Sequence, residues 1–95
     1  MANNQIIDLA PLVLLEKLEF INLSYNKIKN LQPLSNLKQL DWISLTHNKI
    51  SDITPLSNLT KLQYINLSYN QIKCIKAISS LILVEELNIE HNKII

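Results

Sequence analysis

The residues of this chain whose types could do chemistry are two histidines, one cysteine and a handful of serines. A zinc site needs several ligands that converge within bonding distance. His47 and His91 are two intervals of 22 residues apart with Tyr69 midway, so in stacked repeats their backbones would be roughly 10 Å apart, and Cys74 occupies a different position of the interval. A serine nucleophile needs a base, an acid that orients the base and donors for an oxyanion. No such set accompanies Ser24 or Ser68. We therefore predict that the chain is not an enzyme and holds no metal or cofactor.

Binding of a partner has more support than catalysis, because the aromatic residues recur at a fixed interval of 22 residues. One series consists of Phe20, Trp42 and Tyr64, and a second consists of Tyr25 and Tyr69 interleaved with His47 and His91. An asparagine repeats with the same period at Asn4, Asn26, Asn48, Asn70 and Asn92. A period of this length indicates a protein built from stacked repeats.

The repeats extend from one end of the chain to the other. In register, the chain divides into a partial unit, residues 1–8, and the units Leu9–Asn30, Leu31–Asp52, Ile53–Cys74 and Ile75–Ile95. Each full unit carries the pattern L-x-x-L-x-L-x-x-N-x-L, which Leu40, Ile43, Leu45, Asn48 and Ile50 fill in the second full unit. We expect all 95 residues to form a single domain.

This pattern resembles the leucine-rich repeat family, and the 22-residue period is similar to the subclass found in bacterial internalins and a nuclear phosphatase regulatory subunit. The signal is strong because four consecutive copies keep the asparagine in phase. The resemblance implies an α/β solenoid, a right-handed superhelix that acts as a recognition scaffold for proteins. The fold alone does not identify the ligand.

The residues themselves predict the same elements. Around Ile21 the alternation is that of a short strand, with Ile21 and Leu23 pointing inward and Phe20, Asn22 and Ser24 pointing outward. Successive strands in a parallel sheet need a crossover, and the prolines at Pro11, Pro33 and Pro55 favour short 3₁₀ or irregular segments over long helices. We expect a curved stack with the sheet on its concave side.

The asparagine column has a physical reason. Backbone groups become buried where each strand leaves the sheet, and a side-chain amide can both donate to them and accept from them. We predict a structural ladder through Asn26, Asn48, Asn70 and Asn92.

The outward positions of the strands form the candidate binding surface. Exposed aromatic clusters commonly mark a partner-binding site, with Trp and Tyr as anchors and polar residues around them. The predicted partner-binding residues are Phe20, Trp42, Tyr64, Tyr25, Tyr69, His47, Asn22, Ser44, Asn66 and Glu86. Two alternatives stay open: the stacked rings stabilise neighbouring strands without a ligand, and the charged residues near Glu86 only keep the surface solvated.

Composition narrows the partner classes. The nine basic residues are all lysines, they alternate with eight carboxylates, and the net charge is +1. A nucleic-acid-binding protein is expected to carry a basic stripe rich in arginine, so we predict a protein or peptide partner and no nucleic acid. No apolar run is long enough to span a membrane. The single cysteine favours a reducing compartment, so we expect a cytoplasmic protein, or the bacterial surface if the chain is part of a longer internalin-like protein.

The ends of the predicted solenoid are not capped. A solenoid whose terminal units lack a polar outer face exposes its core and an unpaired strand edge. Three outcomes follow: the chain is a piece of a longer solenoid, a partner covers the ends, or copies of the chain associate through them. A role as a regulatory fragment of a larger protein is a further alternative.

Overall fold

The computed structural model of the protein describes residues 4–6 and 8–94. Within these residues the chain forms one parallel sheet of four strands, which lie side by side in chain order. The strands are β1 (Phe20–Asn22), β2 (Trp42–Ser44), β3 (Tyr64–Asn66) and β4 (Glu86–Asn88). They are short because each spans only the segment in which the chain runs straight between two turns.

The register of the sheet follows the sequence repeat. Phe20 pairs with Trp42, Trp42 with Tyr64, and Tyr64 with Glu86. The inward position of each strand is isoleucine or leucine, at Ile21, Ile43, Ile65 and Leu87. Residues one period apart therefore lie directly beside each other, so each sequence column is a row across the sheet.

The crossovers between strands contain short 3₁₀ helices, as the prolines predict. They comprise Ala10–Leu12, Gln32–Leu34, Thr54–Leu56 and Lys76–Ser80 in the described part of the chain. A proline occupies the first turn of each of the first three. Proline is tolerated there because the first N–H groups of a helix have no partner within the helix.

A side-chain oxygen forms an Asx turn just before each of these three helices. The carboxylates of Asp8 and Asp52 and the amide oxygen of Asn30 accept a hydrogen bond from the backbone N–H two residues later, at 2.9 Å in each case. At Asp52, the bonds from the backbone N–H and the hydroxyl of Thr54 hold the pKa of the carboxyl below its ordinary value of 3.8. The fourth crossover has Cys74 at the corresponding position.

The core is a column of leucine and isoleucine side chains between the sheet and the crossovers. The central units bury it completely: Leu37 and Leu59 are 0% exposed, whereas Leu15, in the same column of the first full unit, is 47% exposed. Leu81, in the same column of the last unit, is 5% exposed, so exposure in this column is confined to the first full unit.

The predicted fold class is confirmed. The chain is an α/β solenoid with its parallel sheet on the concave side and 3₁₀ helices on the convex side. Among the described residues, no helical segment has the length and apolar character that crossing a bilayer would require.

Candidate binding surface

The concave side of the sheet carries a continuous stack of three aromatic rings. The ring centroids of Phe20 and Trp42 are 4.1 Å apart with an angle of 18° between the planes. Trp42 and Tyr64 are 4.7 Å apart at 8°. The stack follows from the register, since neighbouring strands in a sheet are about 4.8 Å apart and this spacing matches that of stacked rings.

The rings are not equally exposed, although the sequence predicts that all five aromatic side chains are exposed on one face. Phe20 is 56% exposed, whereas Trp42 and Tyr64 are only partly exposed. The reason is the stack, because Trp42 has a ring against each of its faces. What Trp42 presents to solvent is therefore mainly its edge.

A second column of rings runs parallel to the first. Tyr25, His47, Tyr69 and His91 stack in that order, with centroid distances of 4.2, 4.2 and 4.1 Å. The hydroxyl of Thr46 lies 3.0 Å from Nδ1 of His47. His91 was not among the predicted binding residues, although its place in the same column indicates that it belongs with the other three.

The residues of this second column have a left-handed backbone. Their φ angles are 59°, 59°, 58° and 57° in chain order. Side chains with a Cβ rarely occupy this region. Hydrogen bonds to the next coil hold this backbone conformation in place. The N–H of Tyr25 donates to the carbonyl of Thr46 at 2.9 Å, and the N–H of His47 donates to the carbonyl of Ser68 at 3.0 Å. The left-handed residue turns the chain so that the side chain of the asparagine after it points into the solenoid.

Each asparagine then joins two coils. Oδ1 of Asn48 accepts from the N–H of Ile28 at 3.0 Å, and its Nδ2 donates to the carbonyls of Leu23 and Leu45, both at 3.0 Å. Asn70 repeats the same bonds one coil further on. At the two ends, Asn26 accepts from the N–H of Ile6, and Asn92 accepts from that of Ile72.

The polar residues predicted to surround the rings are distributed differently. Asn22 is exposed and Asn66 is partly exposed, but Ser44 is only 5% exposed, which contradicts its prediction as a contact residue. Ser44 is small, lies between the side chains of two asparagines in the register, and its hydroxyl is 2.8 Å from that of Ser24.

The serines after the strands are also buried. Ser24 and Ser68 were predicted to point outward, yet both are buried in the structure. Each strand ends before this position, and the Ser68 hydroxyl donates to Oδ1 of Asn66 at 2.8 Å. The period-two alternation of a strand therefore does not extend to these serines.

Charged side chains flank the rings on opposite edges. A cavity of about 340 Å³ at the edge where the strands begin is lined by Asp41, Trp42, Gln63, Tyr64, Glu85 and Glu86. At the opposite edge, a shallow cavity of about 500 Å³ is lined in part by Lys27, Lys49, His47, Tyr69 and His91. One edge of the concave surface is therefore acidic and the other is basic.

Groups with catalytic or metal-binding potential do not converge in the described part of the chain. No three His, Cys, Asp or Glu side chains there could hold a metal ion together. Tyr69 separates the two histidines by stacking against both, and the free thiol of Cys74 is exposed on a crossover.

Comparison with known proteins identifies the same repeat. The family model described as Leucine Rich repeats (2 copies) matches residues 16–58 and 38–82. A comparison with curated protein sequences yields no match.

Several solved structures share the fold. An internalin (inlF) from Listeria monocytogenes is 38% identical, with a TM-score of 0.92 over 94% of this chain and 26% of its own. Internalin C2 of the same organism is 36% identical, with a TM-score of 0.95 over 96% of this chain and 40% of its own. A leucine-rich repeat protein from Leptospira interrogans is 32% identical, with a TM-score of 0.85 over 95% of this chain and 24% of its own. The chain thus spans less than half the length of each.

Proposed function

Because this chain belongs to the leucine-rich repeat family, we propose that it is a non-enzymatic module that binds a protein or peptide on the concave face of its sheet. Domains of this family generally bind proteins, and a scaffold of rigid coils suits that role because it presents side chains at fixed spacing. The position of the partner on the concave face is an inference from the side chains of this chain.

The observation that carries the proposal is the presence of two parallel ring columns on one solvent-facing surface. Large aromatic side chains usually contribute to a protein core, but the core here consists of leucine and isoleucine. Phe20, Tyr25 and Tyr69 are exposed, and Trp42 and Tyr64 are partly exposed. A surface of this composition matches the anchors found at the centres of protein interfaces.

Polar groups complete the surface. The amides of Asn22 and Asn66 flank the first ring column, and lysines lie beside the second. Interfaces of this kind combine apolar anchors with a polar rim that is open to water. A peptide that crosses the strands would meet rings in the middle and hydrogen-bonding groups on either side.

The competing explanation is that the rings only support the sheet. Stacked cross-strand pairs contribute roughly 0.2–1 kcal/mol each, so removing one ring would lower stability whether or not a ligand exists. Binding and stability must therefore be measured on the same variants.

The test uses peptides selected on the wild-type protein from a random display library. We expect Trp42→Ala and Tyr64→Ala to weaken binding of a selected peptide by tenfold or more, about 1.4 kcal/mol. The matched control is Val13→Ala, which truncates an exposed apolar side chain on a crossover. Unfolding curves show which variants remain folded. Full binding by a folded Trp42→Ala, Tyr64→Ala double variant would exclude the ring stack as the contact.

A second candidate function is self-association through the terminal coils. Leu14 is 82% exposed and Ile82 is 86% exposed. The central coils carry Asn36 and Asn58 in the column of Leu14, and Thr60 in the column of Ile82. The outer coils therefore expose a leucine and an isoleucine at positions where the central coils carry polar residues. Exposed apolar side chains of this kind favour a contact between copies at the outer coils.

A further inference from the structure

The first ring column ends at Tyr64. The register continues from Tyr64 to Glu86 on β4, where a fourth ring would stand if the series were unbroken. Trp42 covers one face of Tyr64. In residues 4–6 and 8–94, no other ring stacks against Tyr64, so its second face is directed to the space beside Glu86.

That space is strongly acidic. Asp41, Glu85 and Glu86 all line the same cavity of about 340 Å³ as Trp42 and Tyr64. Gln63 completes the lining and carries no charge. A volume near the lower end of the range for ligand pockets, about 300–1,000 Å³, suits one side chain better than a whole peptide.

The backbone holds these groups at a fixed spacing. The carbonyl of Asp41 accepts from the N–H groups of Gln63 and Tyr64 at 2.8 and 3.1 Å. The carbonyl of Gln63 accepts in turn from Glu85 and Glu86 at 2.8 and 3.0 Å. Glu85 and Glu86 are therefore fixed on the strand next to Tyr64, and Asp41 is fixed one strand away on its other side.

A planar cation fits this arrangement better than a compact one. The planes of the three stacked rings differ by only 8–18°, so the next place in the stack suits another flat group. A guanidinium is planar, stacks on aromatic faces and donates to carboxylates in a bidentate manner. A lysine ammonium is a more strongly hydrated point charge without a plane.

We propose that this end of the ring column binds an arginine side chain of the partner, with the guanidinium stacked on the face of Tyr64 that no ring covers and hydrogen-bonded to Glu86 and Glu85. The inference rests on the proposed function, since it names one residue of the protein or peptide that the concave face binds. It also explains why the last coil has a glutamate where the first three have rings.

The first test uses a small probe. Nα-acetyl-arginine amide is titrated into the ¹⁵N-labelled protein, and the amide signals of Tyr64, Glu85 and Glu86 are followed by NMR. We expect these signals to shift with the arginine probe and not with the neutral citrulline analogue. Glu86→Gln should weaken the response about tenfold. The matched control Glu16→Gln, an exposed carboxylate on a crossover, should leave it unchanged.

Two results would overturn the inference. Equal shifts with the citrulline probe would show that charge is not recognised. A lysine probe as effective as the arginine probe would show that the planar group is not selected.

The second test separates this inference from the proposed function. Each arginine of a peptide selected on the wild-type protein is replaced by citrulline, and binding is measured to wild type and to Glu86→Gln. We expect one replacement to weaken binding to wild type about tenfold and to have little further effect in Glu86→Gln. If Trp42→Ala abolishes peptide binding while Glu86→Gln and every citrulline replacement have no effect, the arginine site is wrong and the function stands. If Trp42→Ala has no effect, the proposed function fails.

Discussion

At the scale of single residues, the asparagine column is the feature that ties one coil to the next. The amide of Asn48 satisfies a backbone donor of one coil and backbone acceptors of two. Leucine is close to asparagine in size but offers no hydrogen bond. Substitution there would leave buried carbonyl and N–H groups without partners.

We therefore expect Asn48→Leu to lower the free energy of unfolding by about 2–4 kcal/mol, since each buried group left unsatisfied costs about 1–3 kcal/mol. The measurement is urea denaturation followed by circular dichroism. Asn58→Leu, at an exposed crossover position, is the control and should change stability by less than about 0.5 kcal/mol. Equal effects of the two substitutions would contradict a structural role for the ladder.

The left-handed residues show what the sequence did not reveal. Glycine is the usual signal for a positive φ, and this chain contains none. Tyrosine and histidine occupy those positions instead, and the asparagine that tolerates a left-handed backbone comes one residue later. The period predicted that these positions are equivalent, but their backbone conformation depends on hydrogen bonds to the neighbouring coil, which no local pattern encodes.

His47 provides a test of this backbone constraint. We expect His47→Val to be less stable than His47→Asn by about 1–2 kcal/mol, because a β-branched side chain conflicts with the left-handed region that asparagine tolerates. Both substitutions remove the stacked ring, so the difference between them isolates the backbone. Thermal melts of the two variants provide the measurement. Equal stability would mean that the turn relaxes at little cost.

At the scale of elements, the crossovers could be predicted where they contain proline. Pro11, Pro33 and Pro55 begin three short 3₁₀ helices, each of three residues. The fourth crossover has Ala77 in that column, and its 3₁₀ helix extends over five residues, Lys76–Ser80. The length of the last helix was less predictable, because alanine lacks the ring by which proline fixes the backbone at the start of a helix.

The strands were predicted correctly in position but not in extent. The repeat places a strand at the column of Phe20, Trp42 and Tyr64, and the structure has one there in every full unit, including Glu86–Asn88 in the last. The alternation suggested an outward serine at Ser24, yet the strand ends at Asn22. Which hydroxyls become buried depends on the neighbouring coils, as the contact between Ser24 and Ser44 shows. The exposure of the candidate contact residues therefore needed the structure.

The fourth crossover also lacks the Asx turn that precedes the helices of the other three. A cysteine sulfur is a weak hydrogen-bond acceptor, whereas Asp52 accepts from Thr54 at 2.9 Å at the corresponding position. We expect Cys74→Asp to raise the free energy of unfolding by about 0.5–1 kcal/mol through a bond to the N–H of Lys76. Cys74→Ala serves as the control, because it removes the thiol and adds no acceptor. A Cys74→Asp variant no more stable than Cys74→Ala would contradict the Asx-turn explanation.

At the scale of the whole molecule, burial decreases from the central coils to the last described one. The central coils bury their leucines completely, whereas Leu87 on the last strand is 36% exposed. β4 pairs with β3 on one side, and within the described residues no strand lies on its other side. An unpaired strand edge beside exposed apolar groups is the usual template for association between chains.

The exposed leucine and isoleucine of the outer coils make this association testable. If copies join end to end, the contact is heterologous, because the two ends of the solenoid differ, and such contacts produce chains of increasing length rather than a closed dimer. We expect the sedimentation coefficient of the wild-type protein to rise steadily from micromolar to millimolar concentration. The double variant Leu14→Asn, Ile82→Lys introduces polar side chains like those that the central coils carry, and it should remain monomeric. Trp42→Ala is the matched control, since it alters the concave face and should associate as the wild type does. A wild-type protein that stays monomeric over this range would exclude assembly through the ends and leave binding on the concave face as the remaining proposal.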